Sequence, residues 1–150
     1  MTIRRKGHDL KSELKKIVLG TLGYLLVTFP LAYVWHLVAF KSTYDSLGYI
    51  TRDEPIVAFG FGAILLQGIL LSVISPRLCR GMSLAGGAFF FAIVVGLYHW
   101  TIHVLADAAK HKLSSLSIWF GIETLYLAIQ FLLAGFLFAA INRPSPSQSE

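Results

Sequence analysis

The stretch LSSLSIWFGIETLYLAIQFLLAGFLFAAIN, Leu113–Asn142, holds a single charged side chain, Glu123. As a helix rising 1.5 Å per residue it is long enough to cross a bilayer core of about 30 Å. Three stretches of the same kind precede it, Ile17–Phe40, Pro55–Pro76 and Gly81–Ala106, and none of them contains an acidic or basic residue. Together they predict an all-α polytopic membrane protein. Four transmembrane helices, over about 17–40, 55–75, 82–106 and 117–142, form an antiparallel bundle in a single membrane domain, 1–150. With 55% hydrophobic and only 14% charged residues, the chain has too little polar surface to clothe a soluble domain of its size.

The basic N-terminal segment 1–16 precedes an apolar run much longer than the roughly 7–15 residues of a signal-peptide core, and no small-residue cleavage site follows it. It therefore reads as the cytoplasmic lead-in to a retained first helix. Lysine and arginine in short loops stay on the cytoplasmic side of a membrane. An even number of spans places Arg4, Arg5, Lys6, Lys11, Lys15, Lys16, Arg77, Arg80 and Arg143 on one side, with Lys41, Arg52, Lys110 and Lys112 opposite. Both termini are accordingly expected in the cytoplasm, in a bacterial cell inner membrane. The net charge of +5 is a topology signal and an attraction to anionic lipid, not a nucleic-acid arm.

Local signals refine the picture. Pro30 should kink the first helix by freeing the carbonyl of Leu26. Gly48 should break the outer connection Lys41–Glu54, and Pro55 should open the second helix. The short connection Pro76–Gly81 should make the second and third helices neighbours. Ser114 or Ser117 should cap the fourth, which ends near Asn142, and the tail 144–150 reads as disordered. Ala58/Gly62, Ser83/Gly87 and Gly135/Ala139 are small-residue pairs suited to close helix packing, and Gln67 and Gln130 are suited to hydrogen bonding between the second and fourth helices. Cys79 is the only cysteine, so no internal disulfide forms. G-x-S-x-G, H-E-x-x-H and P-loop patterns are absent, and Gly60-Phe61-Gly62 sits in an apolar span where packing explains it.

The functional signal is a convergence in depth. His36 lies about 7 Å below Lys41, His103 about 6 Å and His99 about 12 Å below Asp107, and Glu123 about 9 Å below a cap at Ser117. All four belong to the outer leaflet. His99 and His103, four residues apart, share a helix face that continues to Asp107, a carboxylate placed to orient the His103 ring as a metal's outer partner. His36, His99, His103 and Glu123 are thus candidate metal ligands, by ligand type for zinc, copper or non-haem iron, or a haem held by His36 with His99 or His103. Glu123 should face the bundle, because a carboxylate in lipid needs a partner.

The ordinary reading is a structural polar cluster, with His36 beside Trp35 and His99 between Tyr98 and Trp100 as amphipathic side chains near the headgroups. On that reading no cofactor is needed. The chain is then a non-enzymatic accessory or structural membrane module whose outer segment ADAAKHKLSSLS, Ala106–Ser117, covers the cluster or docks a membrane-protein partner or a second copy. The alternative is a metal- or haem-binding membrane protein, redox-active in one form. The four-span layout and the strings VWHLVAF, ADAAKHKLSSL and IETLYLAIQF resemble small bacterial integral membrane proteins built on a domain of unknown function. That resemblance implies membrane class and inner-membrane location and supplies no catalytic motif.

Overall fold

The computed structural model describes residues 2–143, with side chains from Leu10 onward. The expected tail 144–150 and the side chains of Arg4, Arg5 and Lys6 lie outside the described residues. The chain is all-helical, with no strand among the described residues: α1 (Thr2–Val34), α2 (Lys41–Leu47), α3 (Val57–Leu78), α4 (Leu84–Trp100), α5 (Ala106–Lys110) and α6 (Leu116–Ile141). Two π-helical segments interrupt this order, Trp35–Ala39 after α1 and Thr101–Leu105 between α4 and α5. Four helices are long and apolar enough to cross a membrane: Leu10–Ala39, Val57–Leu78, Leu84–Lys110 and Leu116–Ile141.

Several boundaries differ from the sequence expectation, each for a local reason. The first helix starts well before Ile17, because KSELKK, residues 11–16, consists largely of good helix formers and continues it. Pro55 precedes the helix instead of opening it, and α3 runs through Pro76 to Leu78. Ser115, not Ser114 or Ser117, caps α6, its hydroxyl accepting from the Ile118 amide at 3.4 Å. Ser83, read beforehand only as a packing residue, caps α4 by accepting from the Gly86 amide at 3.1 Å. Gly48 and Asn142 fall where expected, as the C-terminal caps of α2 and α6, and Gly48 takes the left-handed conformation (φ 72°) that only glycine adopts freely.

The polarity of the bundle is inverted relative to a protein in water. Thr21, Thr28, Ser72, Ser75, Glu123 and Gln130 are buried, while Leu26 (73% exposed), Phe59 (76%) and Ile93 (64%) face outward. An apolar exterior this extensive is stable only where the surroundings are themselves apolar, as in lipid.

The tightest helix pairs are α1 with α3 and α4 with α6, and α1 also packs on α6. Small residues make these approaches. A Cβ on Gly68 would lie 3.2 Å from the Thr21 carbonyl oxygen, one on Gly87 3.4 Å from the Ala139 Cβ, and one on Gly135 would collide with the Ala88 carbonyl. The Ala58/Gly62 pair does not pack: a Cβ on Gly62 meets nothing within 4 Å. Nor do Gln67 and Gln130 bond each other. Tyr24 stands between them, donating to Gln67 Oε1 at 3.0 Å and accepting from Gln130 Nε2 at 2.9 Å. Finally, α3 and α4 touch at few points despite the short connection joining them, because each is committed to another partner. A groove is left between them.

A candidate metal centre

The site lies at the end of the bundle where the α1–α3 and α4–α6 connections meet. Those two connections are stitched together: the Ser114 amide donates to the Leu47 carbonyl at 3.2 Å and the Ser114 hydroxyl to the Ser46 carbonyl at 2.8 Å. Beneath them sits Glu123, on α6 and fully buried. Its carboxylate is served from three elements. The Tyr44 hydroxyl on α2 donates to Oε1, His103 Nε2 lies 2.9 Å from Oε2, and His36 Nε2 lies 3.5 Å from Oε1. One ligand atom from each of His36, His103 and Glu123 can be chosen so that all three lie within 4.8 Å of one another.

Both histidines in this set are carried by π-helical segments. In the first, Phe40 N donates to the carbonyl of Trp35, five residues back, at 3.0 Å. Widened turns of this kind recur at functional sites because they re-aim side chains and loosen the carbonyl ladder. The Ala32 carbonyl, 2.9 Å from His36 Nδ1, accepts a hydrogen bond from the ring. A carbonyl only accepts, so Nδ1 carries a proton; in the neutral ring Nε2 then presents its lone pair toward Glu123, and in the imidazolium it donates there. A lone pair facing a carboxylate oxygen at 3.5 Å is repulsive unless a proton or a metal cation lies between them.

His103 is fixed from the other side. Its Nδ1 lies 3.7 Å from Asp107 Oδ2, an electrostatic partner beyond hydrogen-bond length. Asp107 is itself anchored by Lys110 at 2.9 Å and by the Tyr49 hydroxyl at 2.9 Å. Trp119, wholly buried, donates to the Val104 carbonyl at 3.0 Å within the second π segment and packs its ring on Tyr49. In the connection outside the spans, burial followed by the Glu123 carboxylate raises the Tyr44 phenol above its ordinary pKa. Burial followed by Asp107 does the same for Tyr49. Both therefore stay neutral hydrogen-bond donors.

Of the four ligands proposed from sequence, the fold thus brings together His36, His103 and Glu123, with Asp107 beside His103. His99 is not part of this group. Its ring lies 5.8 Å from that of His103, against Phe131, and among the described residues it makes no hydrogen bond. Both rings face α6, as the i, i+4 spacing suggested, but His103 meets Glu123 whereas His99 lies against Phe131, eight residues further along that helix.

Tyr44 is the contributor that the sequence reading missed. An aromatic residue in the apolar-and-polar stretch KSTYDSLGYI, 41–50, gave no signal beyond its place in a connection long enough to fold over the bundle. No family model, no curated protein and no solved structure matches the chain.

Proposed function

We propose that this is a four-span antiparallel bundle of a bacterial inner membrane, both termini cytoplasmic, whose outer-leaflet centre binds one divalent transition-metal ion through His36, His103 and Glu123. The observation that carries the reading is the convergence of His36 Nε2 and His103 Nε2, from two different spans, on the one buried carboxylate of Glu123. Two imidazoles and one carboxylate match the ligand types of catalytic zinc and non-haem iron sites, which leave positions free for an exogenous ligand. An ion bound there would take the place of any proton held between His103 and Glu123, so binding should strengthen as pH rises. A single ion suits the space better than a haem, since the Glu123 carboxylate stands between the two rings where a porphyrin plane would have to pass.

A second reading is favoured by the direct bonds from Tyr44 and His103 to Glu123: a non-enzymatic accessory module in which the cluster only fastens α2 and the second π segment to α6. Metal analysis of the purified protein, followed by titration with Co(II) and its visible spectrum, separates the two. The metal reading expects about one ion per chain. Binding should be lost in His36→Ala and His103→Ala and kept in His99→Ala. Absence of binding in the unaltered protein would leave the fastening role alone.

A further inference from the structure

One cavity adjoins the centre, and a second shares Gln67 and His99 with it. The first, about 370 Å³, carries the polar side chains of His36, His103, Lys110 and Thr28 among apolar neighbours such as Ile64 and Ile102. The second, about 360 Å³, is almost wholly apolar and follows the α3–α4 groove past Leu70, Ile74, Leu78 and Val94. From Gln67 to Leu78 the groove runs about 16 Å along α3. Leu70, Ile74 and Val94 are 65%, 41% and 42% exposed, so the groove opens sideways to the surrounding lipid.

We infer that these adjoining cavities bind a long-chain carboxylate, its head in the first cavity beside His36, His99 and His103 and its chain along the apolar groove between α3 and α4. Shape and charge each argue for this occupant. A cavity carrying several polar side chains, next to an almost wholly apolar slot with which it shares Gln67 and His99, fits a single-chain amphiphile better than a wholly apolar molecule or a water-soluble one. The groups facing the head are Lys110, His36, His99, His103 and Asp107, with Glu123 behind them. With a divalent ion in place, and Glu123, Asp107 and Lys110 counted, the chamber carries one net positive charge, which favours an anionic head. In this respect the inference rests on the metal reading above. The groove does not, since its shape comes from α3 packing on α1 and α4 on α6.

His99, outside the metal set and without a hydrogen-bond partner among the described residues, gains one from such a head. Gln67 offers its amide nitrogen, its oxygen being taken by Tyr24.

The test uses a palmitic acid analogue bearing a photoreactive diazirine in its chain, added to the protein in nanodiscs with and without Zn(II), followed by peptide mapping. The expected result is saturable labelling on both walls of the groove, on α3 around Ile74 and on α4 around Val94, removed by excess unlabelled palmitate. Gly60→Trp should weaken it about tenfold, by filling part of the space the head would occupy. Gly60 lines the first cavity, and a Cβ there meets nothing within 4 Å. Gly62→Trp, equally open but outside both cavities, should leave labelling unchanged. Val94→Trp, inside the groove, gives the same readout should the Gly60 variant not fold.

Saturable labelling without zinc, strengthened by zinc, supports the whole inference. Saturable labelling with no response to zinc supports the amphiphile site and counts against the metal reading alone. Labelling that does not saturate, or that spreads over outward residues such as Phe59 and Leu26, would overturn the site whatever the metal result.

Discussion

Tyr44 and Glu123, seventy-nine positions apart in the chain, are joined by a hydrogen bond from the phenol to the fully buried carboxylate. The bond ties a seven-residue helix outside the spans to α6 about two turns from its start. It makes the α1–α3 connection part of the site, where it would otherwise be only a cover.

Tyr44→Phe keeps the ring packing against His36 and removes only the donor. One lone-pair direction of a buried carboxylate is then left unmet, and the protein should lose about 1–3 kcal/mol of stability. If the centre binds metal, affinity should fall as well, by about 10–100-fold, because Tyr44 positions a ligand. Thermal melting in detergent reads the first effect and Co(II) titration the second. An unchanged melting temperature would show that the phenol is not bonded to Glu123.

Tyr24 links Gln67 on α3 to Gln130 on α6 from its own place on α1, so one hydroxyl serves three helices. Tyr24→Phe should cost about 0.5–2 kcal/mol, in keeping with hydrogen bonds between membrane helices. Gln130→Leu combined with Tyr24→Phe should cost less than the sum of the two, because both remove the same bond. Strict additivity in a double-mutant cycle would show that the bond does not form.

Gly135→Val should be severely destabilising, by about 1–3 kcal/mol or more, because its Cβ would collide with the Ala88 backbone where α4 and α6 are closest. Gly62→Val, on an open face, should stay within about 0.5 kcal/mol of the parent apart from the helix-propensity gain. Denaturant unfolding in mixed micelles compares the pair. Similar effects at both positions would contradict the assigned helix pairing.

The N-in, C-in orientation is tested with cysteines introduced at Asp45 and Arg80 in a Cys79→Ser background. Asp45 and Arg80 are both exposed and lie at opposite ends of the bundle. An impermeant maleimide should reach position 45 in intact cells and position 80 only after permeabilisation, and the reverse pattern would overturn the orientation. The native Cys79 is a poor reporter: it is 7% exposed, and burial raises its thiol pKa. It should react far more slowly than a free thiol even in permeabilised cells, since the thiolate is the nucleophile.

The number and approximate placement of the spans, and the class of protein, were legible in the sequence, because an uncharged apolar run is measured in one dimension against a bilayer of fixed thickness. The same reasoning put His36, His103 and Glu123 at one depth, since depth along a helix depends only on residue count and rise. Which side chains meet at that depth was not legible. Meeting depends on rotation about each helix axis, where one residue is worth about 100°, and a π segment adds a residue that no hydropathy pattern reveals. His99 keeps its place beside His103, the rings 5.8 Å apart, and yet it does not join the group formed by His36, His103 and Glu123.

The choice of neighbours was likewise decided only in three dimensions. The short connection read as Pro76–Gly81 implied that α3 and α4 pack together, yet Gly68 gives α3 a closer seat on α1 and Gly135 gives α4 a closer seat on α6. The bilayer dictated how long each helix had to be, and that was written in the sequence. The close approaches at individual glycines dictated which helices touch, and so opened the groove beside the His–Glu centre; that was settled only when the chain was packed.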